Sequence, residues 1–222
     1  MKGLLVKDFN ILLLQKKFLG IVLMISVIMI MTMEDPSFLI GYITVMCGIV
    51  TVGTINYDDL DNGNTFLFTM PITRKVYVME KYVLVVLVSG CAWLATTVAS
   101  VMISATKIDG FNIGEGIAVA VLTYVACMLL EFIMIPIQLK YGGERSKVVI
   151  VATVGIVVVI GYFWNLFSKK LEGIISVDVE GLLNTINSLG LNGLVVVAVG
   201  ASVAVMLISM FISAKIMEKK QF

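Results

Sequence analysis

Apolar residues along this chain run in blocks of about 20, separated by short polar stretches, rather than alternating with polar residues. The blocks predict membrane-spanning helices over residues 18–33, 37–56, 82–106, 113–139, 148–167 and 193–214. The turn Glu34-Asp35-Pro36 ends the first, because proline cannot continue a helix interior. Thr73 is placed to cap the third helix, whose foot carries Arg74 and Lys75. Pro136 interrupts the fourth. Ahead of the spans, Leu5, Phe9, Leu12 and Leu13 stand at i, i+4, i+7 and i+8, with Lys7, Asp8 and Asn10 elsewhere. That spacing predicts an amphipathic helix over residues 2–14, suited to lie in the membrane interface. Between the last two spans, Asp178 would cap a short helix with Val179, Leu182, Ile186 and Leu189 on one face and Gly190 behind it.

Basic residues set the orientation. Lys107, Lys169 and Lys170 fall on one side and the other 13 of the 16 Lys and Arg on the opposite side. By the positive-inside rule both termini are cytoplasmic. The expected fold is therefore an all-α integral membrane protein with a single transmembrane domain over residues 1–222. It has six transmembrane helices and is preceded by an interfacial helix at residues 1–17. The loops are 57–73 and 140–147 inside and 168–192 outside.

Composition sharpens this picture. The chain is 59% apolar and 14% charged, far from the balance of a soluble domain. A soluble enzyme, a disordered chain and a secreted disulfide scaffold are excluded, and the short loops leave no room for a separate catalytic domain. Histidine is absent, which removes histidine acid–base catalysis and most zinc and haem sites. Cys47, Cys91 and Cys127 lie within apolar blocks with no CxxC spacing. A net charge of +1 gives no reason to expect nucleic acid. No cleaved signal is expected, because residues 1–17 carry Asp8 and Asn10 and no small-residue cleavage site follows.

Two places carry more information than a span or a connector needs. The loop after the second span holds Asp58, Asp59 and Asp61, then Phe66, Leu67, Phe68, Met70 and Pro71. The acidic cluster suits the positive end of a short helix. The aromatic run must be covered by the bilayer surface, by its own helices or by a partner's groove. The second place is Glu131, eight residues before Leu139 and so about 12 Å from that end of the fourth span. A carboxylate at that depth is costly unless paired or wet. It either faces a translocation path, bonds to a neighbouring helix, or lies nearer the boundary marked by Pro136 and Gln138.

Four segments resemble small six-span ABC-2-type transporter permeases of Gram-positive bacteria. They are the opening Lys2-Gly3-Leu4-Leu5-Val6-Lys7-Asp8 and the loop Tyr57-Asp58-Asp59-x-Asp61-x-Gly63. The other two are Met70-Pro71-Ile72-Thr73-Arg74-Lys75-x-Tyr77-Val78-x-x-Lys81 and Pro136-Ile137-x-x-Lys140-Tyr141-Gly142-x-Glu144-Arg145. The chain is similar to membrane subunits of exporters for phenol-soluble modulins and antimicrobial peptides. The resemblance implies that 57–73 is a coupling loop docking on a separate ABC ATPase, with Phe66 and Phe68 as anchors. Arg74 would face lipid phosphate, the ATPase or the acidic cluster. A second contact would involve Lys140, Glu144 and Arg145, and residues 1–17 would form a connecting helix along the inner leaflet.

The resemblance also implies a second permease chain, identical or related, an amphipathic or cytolytic peptide as cargo, and a multi-pass location in the plasma membrane. No cofactor is expected on this chain, since it has no Gly-x-x-x-x-Gly-Lys-Ser/Thr motif; ATP and magnesium would sit on the partner. Two other classes compete with this exporter. One is a gradient-driven transporter or channel using Glu131, and the other is a membrane scaffold that binds a partner without transport.

Overall fold

The computed structural model describes residues 2–32, 37–59, 63–69, 71–107, 112–171 and 190–220, with only the backbone described over 143–171. Every regular element among the described residues is a helix. In chain order these are α1 (Lys2–Leu14), α2 (Lys16–Thr32), α3 (Ser37–Val52), α4 (Thr54–Asp59), α5 (Gly63–Leu67), α6 (Arg74–Lys107), α7 (Ile113–Leu171) and α8 (Gly190–Lys219). Among the described residues four stretches are long and apolar enough to cross a bilayer: Ser37–Asp59, Arg74–Thr106, Ile113–Gly142 and Gly193–Lys219. A fifth results if α1 and α2, bent by 62° at Gln15, count as one broken span. The expected fifth span, 148–167, lies where only the backbone is described, and the expected short helix from Asp178 to Leu189 lies outside the described residues, as do Glu34 to Pro36.

Two expected connectors turn out to be helix. The loop at 57–73 begins later than its polarity suggests, because the second span bends at Gly53 and continues as α4 through Asp59. The loop at 140–147 is replaced by helix on both sides of one residue. Gly142, with φ 72° and ψ −179°, is the only non-helical position inside α7. Lysine, arginine and glutamate favour helices as strongly as they favour water, so of this run only Gly142-Gly143 carries a signal to unwind. Pro136 likewise stays within the helix.

Gly142 occupies a region of backbone space essentially restricted to glycine. A Cβ there would also stand 3.2 Å from Asp59 Oδ2. Gly142→Ala is expected to destabilise the chain by about 1–3 kcal/mol. Unfolding in mixed micelles checks this, and a cost indistinguishable from zero would show that the kink relaxes freely.

The caps follow from sequence. Thr73 Oγ1 accepts from Val76 N at 3.3 Å at the start of α6. Asn112 does the same for α7, its Oδ1 accepting from Gly114 N at 3.1 Å. The core gathers at the end of the bundle where α1, α4, α5 and the last turns of α8 converge. Leu4, Ile55, Leu67, Tyr77, Leu139 and Met217 are buried there together, one each from α1, α4, α5, α6, α7 and α8. Farther along, Tyr82 shares hydrogen bonds with Ser209 at 2.6 Å and Ser213 at 2.8 Å, tying α6 to α8. Trp93 stacks on Tyr124 and donates to Ala120 O at 2.9 Å, tying α6 to α7. The outer face of α8 presents Val196, Val203, Leu207 and Phe211 to the surroundings. In a bilayer such a face carries no penalty, because lipid tails are as apolar as the side chains.

Candidate coupling site

α1 brings its Leu4, Asp8 and Leu12 face against the bundle, leaving Val6, Phe9 and Leu13 outward. The buried stripe is thus not the all-apolar one expected from Leu5, Phe9, Leu12 and Leu13. Asp8 is fully buried, at 0% exposure, and Lys81 of α6 at 1%. Lys81 Nζ donates to Asp8 Oδ2, to Asp58 Oδ2 at 2.7 Å and to Thr54 Oγ1 at 3.2 Å. Lys7 Nζ pairs with Asp58 Oδ1 and lies 3.0 Å from Asp8 Oδ1. Tyr77 donates its hydroxyl to Asp58 Oδ2 at 2.9 Å, and Thr54 to Asp8 Oδ2 at 3.3 Å. Two lysines and two aspartates therefore neutralise each other where α1, α4 and α6 meet. Buried ions carry a large desolvation cost that only close pairing and satisfied lone pairs offset. The Tyr77 and Thr54 hydroxyls add bonds to Asp58 Oδ2 and Asp8 Oδ2, while Asp8 Oδ1 accepts no hydrogen bond among the described residues.

Glu80 lies beside this knot, fully buried, and neither of its carboxyl oxygens has a hydrogen-bond partner among the described residues.

The loop residues divide into inward and outward sets. Asp58 belongs to the knot. Asp59 accepts from Asn64 Nδ2 and pairs with Lys220 at 3.0 Å. Leu67 enters the core. Phe68 packs edge-on against Tyr77, ring centroids 5.8 Å apart and planes at 71°, and the Arg74 guanidinium lies 5.8 Å from its ring. Arg74 also donates to the carbonyls of Met217 at 2.9 Å and Glu218 at 2.7 Å, in the last turn of α8. Of the two expected anchors, then, Phe68 has its ring against the chain's own Tyr77. Phe66 remains 67% exposed, and Tyr57, Thr69 and Pro71 are exposed as well. Asp61 and Met70 lie outside the described residues. Lys140 is exposed, its ammonium 5.1 Å from the Tyr141 ring, and the side chains of Glu144 and Arg145 are not described.

Glu131 is remote from this site. It is buried mid-span between helices, against Gly48 of α3, and its carboxyl oxygens have no hydrogen-bond partner among the described residues. No group of three or more potential metal ligands occurs among those residues.

Lys7, Asp8, Lys81, Tyr77 and Thr54 were not singled out as site residues from sequence, although two of the quoted segments contain four of them. The available signal was an acid at the centre of a Leu4–Asp8–Leu12 stripe and a lysine two turns into an apolar helix.

The short helix α5 thus presents Phe66 outward, next to α4, whose Asp58 is held by the buried charges. The sequence matches the family described as ABC-2 family transporter protein over residues 3–218, nearly its whole length. The chain belongs to the ABC-2 transporter family. It is a multi-pass membrane permease subunit of an ABC transporter, of a family that typically works with an ABC ATPase and dimerises. No curated protein and no solved structure matches this permease.

Proposed function

We propose that the permease exports amphipathic peptides, driven by a separate ABC ATPase that docks on residues 57–73. The reading rests first on Phe66. It is the large aromatic of α5 left uncovered while its neighbour Leu67 is held in the core. Aromatic residues fixed at the centre of a contact dominate binding energy. In this reading six spans place both termini in the cytoplasm, α1 lies along the inner leaflet of the plasma membrane, and two permease chains share the pathway. Peptide cargo is supported by the sequence resemblance and by 14 methionines, which give soft and adaptable packing surfaces.

Phe66→Asp is expected to weaken the ATPase by roughly 30-fold or more, the loss typical of a buried interface anchor. The permease alone should melt as the unchanged protein does. Phe68→Asp should instead lower the melting temperature of the permease itself, because it places a carboxylate against Tyr77. Co-purification with a co-expressed partner ATPase, and melting in detergent, read both effects. Retention of the ATPase by Phe66→Asp would rule out this docking assignment.

Glu131 supports a second reading, a gradient-driven transporter, because its carboxyl is buried without a partner among the described residues. Transport in vesicles without any ATPase, abolished by Glu131→Gln, would favour that reading over export by ATP.

A further inference from the structure

The last span reaches the coupling loop through two separate polar links, and we propose that α8 is a second output of that loop. In this reading Arg74 and the Asp59–Lys220 pair carry loop displacement into the last span. The inference rests on the exporter reading above.

Arg74 touches both parties at once. Its guanidinium lies over Phe68 of the loop and donates to the Met217 and Glu218 carbonyls, which end α8 without intrahelical partners. Lys220, one residue past α8, reaches back to Asp59 at 3.0 and 3.4 Å. Asp59 is held in turn by Asn64 of α5, the helix that presents Phe66. Met217, fully buried, fills the core beside Tyr77. The cytoplasm-facing turns of α8 in the proposed topology are therefore fastened to loop and foot at three successive levels, whereas the window that crosses the bilayer is only 6% buried. Along the span α8 packs against α7 and is tied to α6 by Tyr82 through Ser209 and Ser213, so displacement of its gripped end travels along one helix held against both. A push delivered at Phe66 would thus reach α8 directly, without passing through α1 or α3.

The experiment uses the full-length permease with its ATPase in lipid nanodiscs. Cys47, Cys91 and Cys127 are replaced by alanine, and an environment-sensitive fluorophore is attached at Phe211→Cys on the outward face of α8. ATP with vanadate is expected to shift the emission. Lys220→Glu, which sets two carboxylates against each other, is expected to reduce that shift roughly fivefold. Lys220→Ala should give an intermediate loss, and Asp59→Lys with Lys220→Glu should restore the shift. The melting temperature of the permease alone should not follow this order, whereas a merely structural pair would move both together.

No shift in the unsubstituted complex, a full shift in Lys220→Glu, or a double variant no better than the single one would overturn the inference while leaving the exporter reading intact. Failure of the unsubstituted permease to hold an ATPase would overturn both.

Discussion

Lys81→Met is expected to destabilise the permease by about 3–5 kcal/mol, the range for removing one partner from a buried ion pair. The ammonium of Lys81 serves Asp8, Asp58 and Thr54 from a position that is 1% exposed. Without it, Asp8 keeps only Lys7 and the Thr54 hydroxyl, in a setting water does not reach. Lys7→Met should cost much less, because the Lys7 side chain is 33% exposed and both its aspartates keep Lys81. The double change Lys81→Met with Asp8→Leu should recover most of the loss, since it removes both members of one pair and returns an apolar face to α1. Unfolding in mixed micelles, followed by loss of helical signal, measures all three. A cost below about 1 kcal/mol for Lys81→Met, the level of an exposed pair, would mean that water reaches the knot. The functional consequence concerns α1. The knot fastens α1 to α4 and to the foot of α6, so these three segments should move together.

Four of the six bilayer-length blocks and the bounds of α1 were legible in the sequence because each rests on one dominant quantity, apolar content per helical length. The orientation of α1 was not. Periodicity counts apolar positions and sorts Asp8 with water, whereas Lys81, 73 residues later, makes Asp8 an inward residue. The same limit applies to the loop. Its acidic and aromatic run was conspicuous, but whether Asp58 faces a partner or Lys7 depends on a helix elsewhere in the chain. Phe66 and Phe68 differ by two positions and have identical chemistry. Only the placement of Tyr77 and Arg74 turns one inward. The run 140–147 holds the expected break but overstated its length, since polarity reports contact with water and not helix termination. The backbone break came at Gly142, where a positive φ required glycine.

Gly48→Ala is the second change expected to act strongly, at about 1–3 kcal/mol, the usual penalty for overfilling a packed site. A Cβ on Gly48 would overlap the Glu131 carboxyl at Oε1 and Cδ and fall 2.8 Å from its Cγ. The glycine is therefore the notch that lets the glutamate lie between α3 and α7. Both residues stand 11 positions from the loop ends of their spans, at Asp59 and Gly142, or about 16 Å along each helix. The two helices thus meet there at equal depth. Because Glu131 is 1% exposed, its carboxyl cannot swing aside into solvent to make room. Glu131→Ala should accordingly relieve the clash, so that the double variant is more stable than the sum of the single effects. That coupling is the signature of direct contact. Strict additivity would show instead that Gly48 serves the α3 backbone and not the glutamate. Glu131→Gln keeps the volume and removes the charge, so Gly48→Ala should cost as much beside glutamine as beside glutamate. Comparing the two backgrounds separates the shape of this mid-span site from its charge.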